Sequence, residues 1–286
     1  MNFPIGVLVD SFGLPLEQGL AKAAALGLDG VQLYAVRGEL APENLTPETT
    51  QRVKDLLAKN RLAASAVCGD FGGFGFEIAE DNPARIEASV KVMAFALALG
   101  TRVVTTHIGV IPDDATHPRW AVMLAACREL GRRACELGGV FAIETGPEPC
   151  ALLREFLLAV DSPGIGVNFD PANLCMVTGD DPVAGVGLLA PYIVHTHAKD
   201  GVNLRPCDRT AVYHGFATGG VESLNREPDF IETPLGQGSV DFPAWLGALW
   251  QHGYRSYLTI ERECGDDPAA DIALAVSHLQ ASMQGK

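Results

Sequence analysis

Eight short apolar segments, each followed by a segment with helical spacing, constrain the fold of this chain more than any other feature of its sequence. Strands that alternate with helices predict a parallel sheet, and short strands without polar alternation are typical of strands buried on both faces. The chain has 286 residues, close to the roughly 250 of a typical barrel of eight strand–helix units. We therefore predict an α/β fold, a single (β/α)8 TIM barrel domain over residues 1–286. The predicted strands are 5–9, 30–34, 62–67, 102–107, 140–144, 165–170, 192–198 and 256–261.

The connection after the seventh predicted strand is unusually long. Between Asp200 and Asp241 the sequence has no clear periodic segment, whereas connections inside compact domains are mostly short. Long irregular connections are usually functional lids or disordered segments. Because this one leaves the strand end that carries His197, we predict a lid or binding loop at about 200–241. A solvated insertion without a role is the alternative.

Composition argues against several kinds of partner. The net charge of −14 disfavours binding to nucleic acid or to an anionic membrane surface, both of which require basic residues. The seven cysteines are scattered and form no CxxC, so we expect reduced thiols in a cytoplasmic protein. The first residues lack a basic leader, and no apolar run reaches the roughly 18 residues of a membrane helix. No GxGxxG follows the first strand, which weakens the alternative of a dinucleotide-binding open sheet.

Polar residues end four consecutive predicted strands. They are Glu144, Asp170, His197 and Glu261. The spacings of 26 residues from 144 to 170 and of 27 from 170 to 197 each match one strand–helix unit. All strand ends of a parallel barrel meet at one face, so these four side chains are expected to converge. Polar surface at the barrel rim is the alternative, and four such ends in succession disfavour it.

Three converging carboxylates would repel one another unless a cation lies between them. One imidazole nitrogen and several carboxylate oxygens suit a divalent ion with positions left open for substrate. We expect Mn²⁺, with Mg²⁺, Co²⁺ or Zn²⁺ as alternatives. Zinc sites rich in thiolates are not indicated.

The strings IETG, NFDPANL, HTHAKD and LTIERE, in this order and spacing, resemble the xylose isomerase-like TIM barrel superfamily of sugar phosphate isomerases and epimerases. That superfamily also includes ketose 3-epimerases, inosose isomerases and dehydratases, and a class of apurinic endonuclease. The resemblance implies that Glu144, Asp170, His197 and Glu261 are the metal ligands. Net charge and the residues at the ends of strands three and seven make the endonuclease branch a poor match.

The resemblance implies a metal-dependent sugar or keto-polyol isomerase or epimerase. In the epimerases of the superfamily, two glutamates act as paired acid and base on opposite faces of a substrate whose enediolate is stabilised by the ion. Glu144 and Glu261 would take these catalytic roles. Two alternatives stay open. A lyase could remove water from a keto-sugar or inosose, or cleave a keto-glycoside, at the same metal site. A non-catalytic protein could bind metal and sugar without turnover.

Several residues near the strand ends are candidate substrate contacts. Asn173 stands where ketose 3-epimerases have a substrate-binding histidine, which leaves their specificity in doubt here. Further candidates are His107 at the end of strand four, Lys199 and Asp200 after His197, and Arg205 in the predicted lid. Each has a plainer alternative: a rim histidine, a turn cap or a solvated arginine.

Less specific candidates lie in two loops. The predicted lid contains Arg209, His214 and Arg226, which could meet a charged group. Phe71, Phe74 and Phe76 could line the substrate pocket or plug the rim. We interpret His195 as a packed residue one layer below His197. The expected partner is a small carbohydrate, with a free sugar favoured over a phosphorylated one because no glycine-rich phosphate loop is evident. A homodimer or homotetramer is possible from the habit of the fold.

Overall fold

The computed structural model describes residues 1–218 and 228–284. Within these ranges, eight parallel strands close into a barrel in chain order around its circumference. Closure occurs where the first strand pairs with the last, with Ile5 opposite Leu258. The barrel strands are β1 (Ile5–Leu8), β2 (Gly30–Tyr34), β3 (Ala63–Cys68), β4 (Val103–Thr106), β5 (Val140–Glu144), β6 (Ile165–Phe169), β7 (Ile193–Ala198) and β10 (Leu258–Ile260). The predicted (β/α)8 TIM barrel is confirmed.

Helices follow the barrel strands and surround them. They are α1 (Leu16–Ala25), α2 (Pro47–Asn60), α3 (Asn82–Ala98), α4 (Pro118–Leu137), α5 (Cys150–Val160), α6 (Pro171–Asn173), α7 (Pro182–Leu189), α9 (Phe242–Gln251) and α10 (Pro268–Met283). Four of them, α6, α7, α9 and α10, begin after an aspartate whose side chain accepts a backbone N–H, followed in each case by a proline within the first two helical positions. Such caps satisfy otherwise unpaired amides at a helix start. No helix in the described part of the chain is long and apolar enough to cross a membrane.

The barrel interior beneath the carboxyl ends of the strands is polar. Ser65 of β3 lies 3.3 Å, oxygen to oxygen, from Thr259 of β10, and these two strands are not neighbours. Gln32 of β2 likewise donates to Thr105 of β4 at 3.0 Å. Because these hydrogen bonds join strands that do not pair, they cross the barrel. They form a connected floor of buried polar groups under the site described below.

The long insertion predicted after β7, over about 200–241, contains regular elements that its sequence does not indicate. Two strands, β8 (Asp200–Asn203) and β9 (Phe230–Thr233), pair antiparallel, and α8 (Arg209–Thr218) lies between them in sequence. These elements carry weak local patterns, since β8 reads DGVN and α8 buries only Val212. Tertiary contacts therefore stabilise them more than sequence propensity does.

Candidate metal centre

Four side chains converge at the carboxyl ends of β5, β6, β7 and β10. Each offers one potential ligand atom, all these atoms lie within 4.8 Å of one another, and all four residues are buried. They are Glu144, Asp170, His197 and Glu261, which we call the tetrad. Ligands on opposite sides of a Mg²⁺-sized ion lie about 4.2 Å apart, twice the metal–oxygen distance. The separations within the tetrad are therefore close to those of a coordination sphere.

His197 directs its Nδ1 toward all three carboxylates. That nitrogen lies 3.4 Å from Glu144 Oε1, 3.7 Å from Asp170 Oδ2 and 3.3 Å from Glu261 Oε2. Backbone pairing sets this arrangement, because β7 lies between β6 and β10 in the sheet. The imidazole thus faces a ring of acceptor oxygens with one nitrogen.

Asp170 provides an independent test of whether a cation fits. Its Oδ1 accepts the backbone N–H groups of Ala172 at 2.8 Å and Asn173 at 3.0 Å, capping α6. Its Oδ2 is buried and has no hydrogen-bond partner among the described residues. A buried carboxylate oxygen without a partner costs free energy unless a cation compensates it. The residues present therefore fit a divalent ion.

The opposite edge of the His197 ring is held by Gln32. His197 Nε2 lies 3.0 Å from Gln32 Oε1, and Gln32 Nε2 donates to Thr105 Oγ1 at 3.0 Å. In this orientation the amide oxygen can only accept, so Nε2 of His197 carries a proton. Nδ1 is then the nitrogen available to a metal, because the outer hydrogen bond of a histidine sets its ligating nitrogen.

Gln32→Leu is expected to weaken metal binding by about 10- to 100-fold, the usual effect of losing the partner that orients a histidine ligand. The leucine leaves His197 Nε2–H without an acceptor, so the ring can adopt other orientations and tautomers. Isothermal titration calorimetry with Mn²⁺ measures the affinity directly. Gln32→Glu keeps an acceptor and should bind the ion more tightly than the leucine variant. Equal affinities for wild type and Gln32→Leu would contradict this role.

Asn168 of β6 orients Glu144 in a similar way. Its Nδ2 donates to Glu144 Oε2 at 3.0 Å, and its Oδ1 is 2.8 Å from His195 Nδ1. Nδ1 of His195 is therefore the donor, and its Nε2 accepts from Thr259 Oγ1 at 2.9 Å. Burial, together with the charge of His197, lowers the pKa of His195 well below its usual value. His195 is thus a neutral, packed residue, as the sequence predicted.

The charges of the tetrad are strongly interdependent. Burial alone would lower the pKa of His197, but the charges of Glu261 and Glu144 raise it well above the usual value. Burial would raise the pKa of Glu261, yet His197 and Lys199 outweigh burial and lower it. For Asp170 burial dominates and raises the pKa of the carboxyl. His197 and Lys199 are thus cationic partners of the acidic cluster among the described residues.

A cavity of about 740 Å³ opens above the tetrad, and three of the predicted substrate contacts line it. His107 Nδ1 is 3.1 Å from Asp70 Oδ2, and its Nε2 is 3.9 Å from Glu144 Oε1. Burial opposes protonation of His107, but Glu144 and Asp70 raise its pKa to about 10. Asn173 Nδ2 donates to Glu144 Oε1 at 3.2 Å. Lys199 Nζ donates to Glu261 Oε2 at 3.0 Å.

Two other predicted substrate contacts lie elsewhere. The Asp200 carboxylate is completely buried and accepts four backbone N–H groups at 2.9–3.1 Å, from residues 201, 236, 238 and 240. Arg205 bonds Asp229 at 2.8 Å and the carbonyl of Pro228 at 3.1 Å. Both residues lie outside the cavity lining formed by the described residues. The prediction that Asp200 and Arg205 contact substrate does not fit these positions, because each has structural partners instead.

The loop candidates also have partners within the protein. Arg209 binds Asp113 at 2.6 Å and the carbonyls of Ile111 and Pro147, and His214 lies 3.0 Å from Glu77. Arg226 lies outside the described residues. In the loop after β3 the cavity is lined by glycines 72, 73 and 75 rather than by the phenylalanines.

Several residues that the structure brings to the site are not among those predicted from the sequence. They are Gln32, Asp70, Glu77, Tyr213 and Glu232. Gln32 could have been identified from the sequence, because a glutamine is unusual within the mainly apolar strand GVQLY. Asp70 lies two residues after the end of β3, just as Asp170 and Glu261 follow the ends of β6 and β10. The others come from the helix and hairpin of the insertion or from a loop, where strand-end reasoning does not apply.

The fold and the tetrad define a parallel barrel with a potential metal centre at its carboxyl-terminal face. The family model described as xylose isomerase-like TIM barrel matches residues 20–282. The chain belongs to this family.

Individual relatives agree with the family assignment. The rhizopine catabolism protein MocC of Rhizobium meliloti is 27% identical over 281 residues, spanning 91% of this chain and 78% of that protein. A xylose isomerase domain protein from Planctomyces limnophilus has a TM-score of 0.79 at 26% identity, covering 99% and 97% of the two chains. The 3-keto-D-glucoside 4-epimerase YcjR from E. coli has a TM-score of 0.72 at 16% identity, covering 98% and 100%. At 16% identity, the likeness to YcjR shows that the two proteins share a fold and nothing more.

Proposed function

We propose that this protein is a divalent-metal-dependent isomerase or epimerase acting on a sugar or keto-polyol. The observation that carries the proposal is the unpartnered Oδ2 of Asp170. It lies within a buried cluster of three carboxylates and one imidazole, beneath a cavity of about 740 Å³. The family relationship and the epimerase fold likeness support the same chemistry.

The tetrad would hold the ion. When bound, the ion would supply Lewis acidity that polarises a substrate carbonyl and a neighbouring hydroxyl, which favours loss of the proton from the hydroxyl-bearing carbon next to the carbonyl. We expect Mn²⁺, with Mg²⁺, Co²⁺ or Zn²⁺ as alternatives, because mixed nitrogen and oxygen ligands suit these ions.

Glu144 and Glu261 are the proposed acid and base. They belong to β5 and to the end of β10, on opposite sides of His197 in the barrel. One carboxylate removes the proton next to the carbonyl, and the other carboxyl returns a proton to the opposite face, which inverts that carbon. Asn173 and Lys199 each donate to one of these glutamates and hold it in orientation.

His107 is the proposed contact for a substrate hydroxyl. It lines the cavity, and Asp70 fixes its ring through Nδ1, leaving Nε2 on the side of Glu144. A hydroxyl bound between Nε2 and the tetrad would be adjacent to the reacting carbon.

Solvent deuterium uptake tests the proposed function. The protein loaded with Mn²⁺ is incubated in D2O with ketoses, inososes and 3-keto-glycosides, and the products are analysed by NMR. Deuterium should enter the carbon next to the carbonyl, and removal of the ion with a chelator should stop this. Absence of exchange across the panel, with metal bound, would contradict the proposal and favour a protein that binds metal and sugar without turnover.

Elimination is a second candidate for the same site. His107 lies on the cavity wall and could give a proton to a leaving hydroxyl, which an epimerase would not require. Mass spectrometry of the same reactions distinguishes the two outcomes, because a dehydratase product is lighter by one water and an epimer is not.

A further inference from the structure

The cavity is larger than one keto-sugar ring needs. Its volume of about 740 Å³ falls in the range of roughly 300–1,000 Å³ that holds drug-sized ligands. The polar groups that could bind a sugar ring cluster around the tetrad. Beyond them, the cavity continues between α8 and β9, in a region we call the outer chamber. Its apolar and aromatic lining residues include Val212, Tyr213, Phe216, Phe230 and Ile231.

One wall of the outer chamber is a row of rings that leads away from the tetrad. The ring of His107, beside Glu144, lies 5.9 Å from the ring of Tyr213. The ring of Tyr213 lies 5.9 Å from that of Phe216, edge to face. The three rings thus form a continuous row that begins beside Glu144. Phe216 is 49% exposed, although it lines the cavity, so a large apolar surface there has no covering partner among residues 1–218 and 228–284.

The facing wall is β9. Glu232 Oε2 lies 4.0 Å from Lys199 Nζ, which itself contacts Glu261. Phe230 lies two residues further along the strand, which is about 7 Å at the usual rise. Ile231, between them, is 42% exposed and also lines the cavity. This wall also becomes apolar as it leaves the tetrad.

Two acidic side chains that the structure describes near the outer chamber are already paired within the protein. Glu77 binds Arg119 and His214, and Asp229 binds Arg205. A second sugar ring would lose its hydrogen bonds to water there and find these groups engaged. A flat apolar group would instead bury carbon against the exposed faces of Phe216 and Ile231, which is favourable.

We propose that the substrate is a keto-sugar that carries an aromatic substituent, with the sugar ring at the tetrad and the aromatic group in the outer chamber. This inference rests on the proposed function for the role of the sugar ring. The aromatic group takes no part in proton transfer. It supplies binding energy and selects the substrate.

Binding of non-reactive probes tests the inference. Phenyl β-glucoside, methyl β-glucoside and cellobiose are titrated against the Mn²⁺-loaded protein by calorimetry or ligand-observed NMR. Phenyl glucoside should bind about tenfold more tightly than methyl glucoside, because its ring is buried in the outer chamber. Cellobiose should not show this gain. The proposal would be overturned if phenyl and methyl glucoside bound with equal affinity. It would also be overturned if cellobiose exceeded methyl glucoside in affinity by as much as phenyl glucoside does.

Matched variants test whether the higher affinity for phenyl glucoside arises in the outer chamber. Phe216→Ala and Ile231→Ala should each reduce the advantage of phenyl over methyl glucoside by about threefold or more. Leu204→Ala is the control, since Leu204 is 53% exposed in the same insertion but does not line the cavity. An equal loss in Leu204→Ala would contradict the assignment.

The two proposals can fail separately. Deuterium exchange with small ketoses but no preference for phenyl glucoside would leave the proposed function intact and overturn the aromatic substrate. A phenyl preference that depends on Phe216, without exchange on any keto-sugar, would support the outer chamber and overturn the proposed function.

Discussion

Glu144→Gln and Glu261→Gln are each expected to reduce epimerisation by about 1,000-fold, within the range found for general acid–base groups. Each variant should nevertheless retain deuterium exchange with one epimer, and the two variants should retain it with opposite epimers. The reason is that each remaining carboxylate can still remove the proton that faces it, whereas inversion needs both. Separate NMR measurements starting from each pure epimer, at saturating Mn²⁺, give the two rates.

Glu263→Gln is the control for the loss of a carboxylate near the site. Its side chain is 60% exposed and also contacts Lys199, but it is not part of the tetrad. This variant should retain inversion within a few-fold of wild type. If both tetrad variants hold the metal and lose exchange with both epimers, paired acid–base action is wrong.

Asp170→Asn is expected to remove metal-dependent stabilisation without destabilising the metal-free protein. Burial raises the pKa of the Asp170 carboxyl, so its ionised form is less stable in the folded than in the unfolded state. That cost is absent at low pH and grows as pH rises through the unfolded pKa. A neutral amide avoids it at neutral pH, while Oδ1 can still accept the two backbone N–H groups.

Thermal unfolding without Mn²⁺ measures the stability of the metal-free protein, and unfolding with Mn²⁺ measures the stabilisation by the ion. Mass spectrometry gives the metal content of each variant. At an ion concentration 100 times its dissociation constant, binding stabilises a protein by about 2.7 kcal/mol, and Asp170→Asn should lose most of this. Asp181→Asn is a matched control, because Asp181 is exposed and caps α7 in front of a proline, as Asp170 caps α6. Full metal stabilisation in Asp170→Asn would refute its assignment as a ligand.

The barrel was predictable because its determinants are local. Strand β5 is apolar up to Glu144 and is stopped by Gly146 and Pro147, so both the strand and its end are visible in the sequence. The ends of β6 and β7 are also visible in the sequence, because Pro171 follows β6 and Gly201 follows β7. Once a closed parallel barrel is inferred, the meeting of the four strand ends follows from topology, and the structure brings those residues together.

Contacts between distant segments were not predictable in the same way. Gln32 meets His197 across 165 residues of sequence, and nothing next to either residue indicates the pair. Asp200 comes just after β7, the strand that carries His197, and for that reason its sequence position predicts a substrate contact. Three of its four backbone partners, however, lie in a segment about 40 residues later. The strands β8 and β9 form because of such contacts rather than because of their own composition.

The buried carboxylate of Asp200 has a consequence for how this scaffold can vary. It fastens the returning end of the insertion, residues 236–240, to a point only three residues after His197. The elements α8 and β9, whose residues line the outer chamber, lie between these anchor points. We therefore expect that their sequence can change, and with it the shape of the outer chamber, while the strand ends that carry the tetrad keep their register.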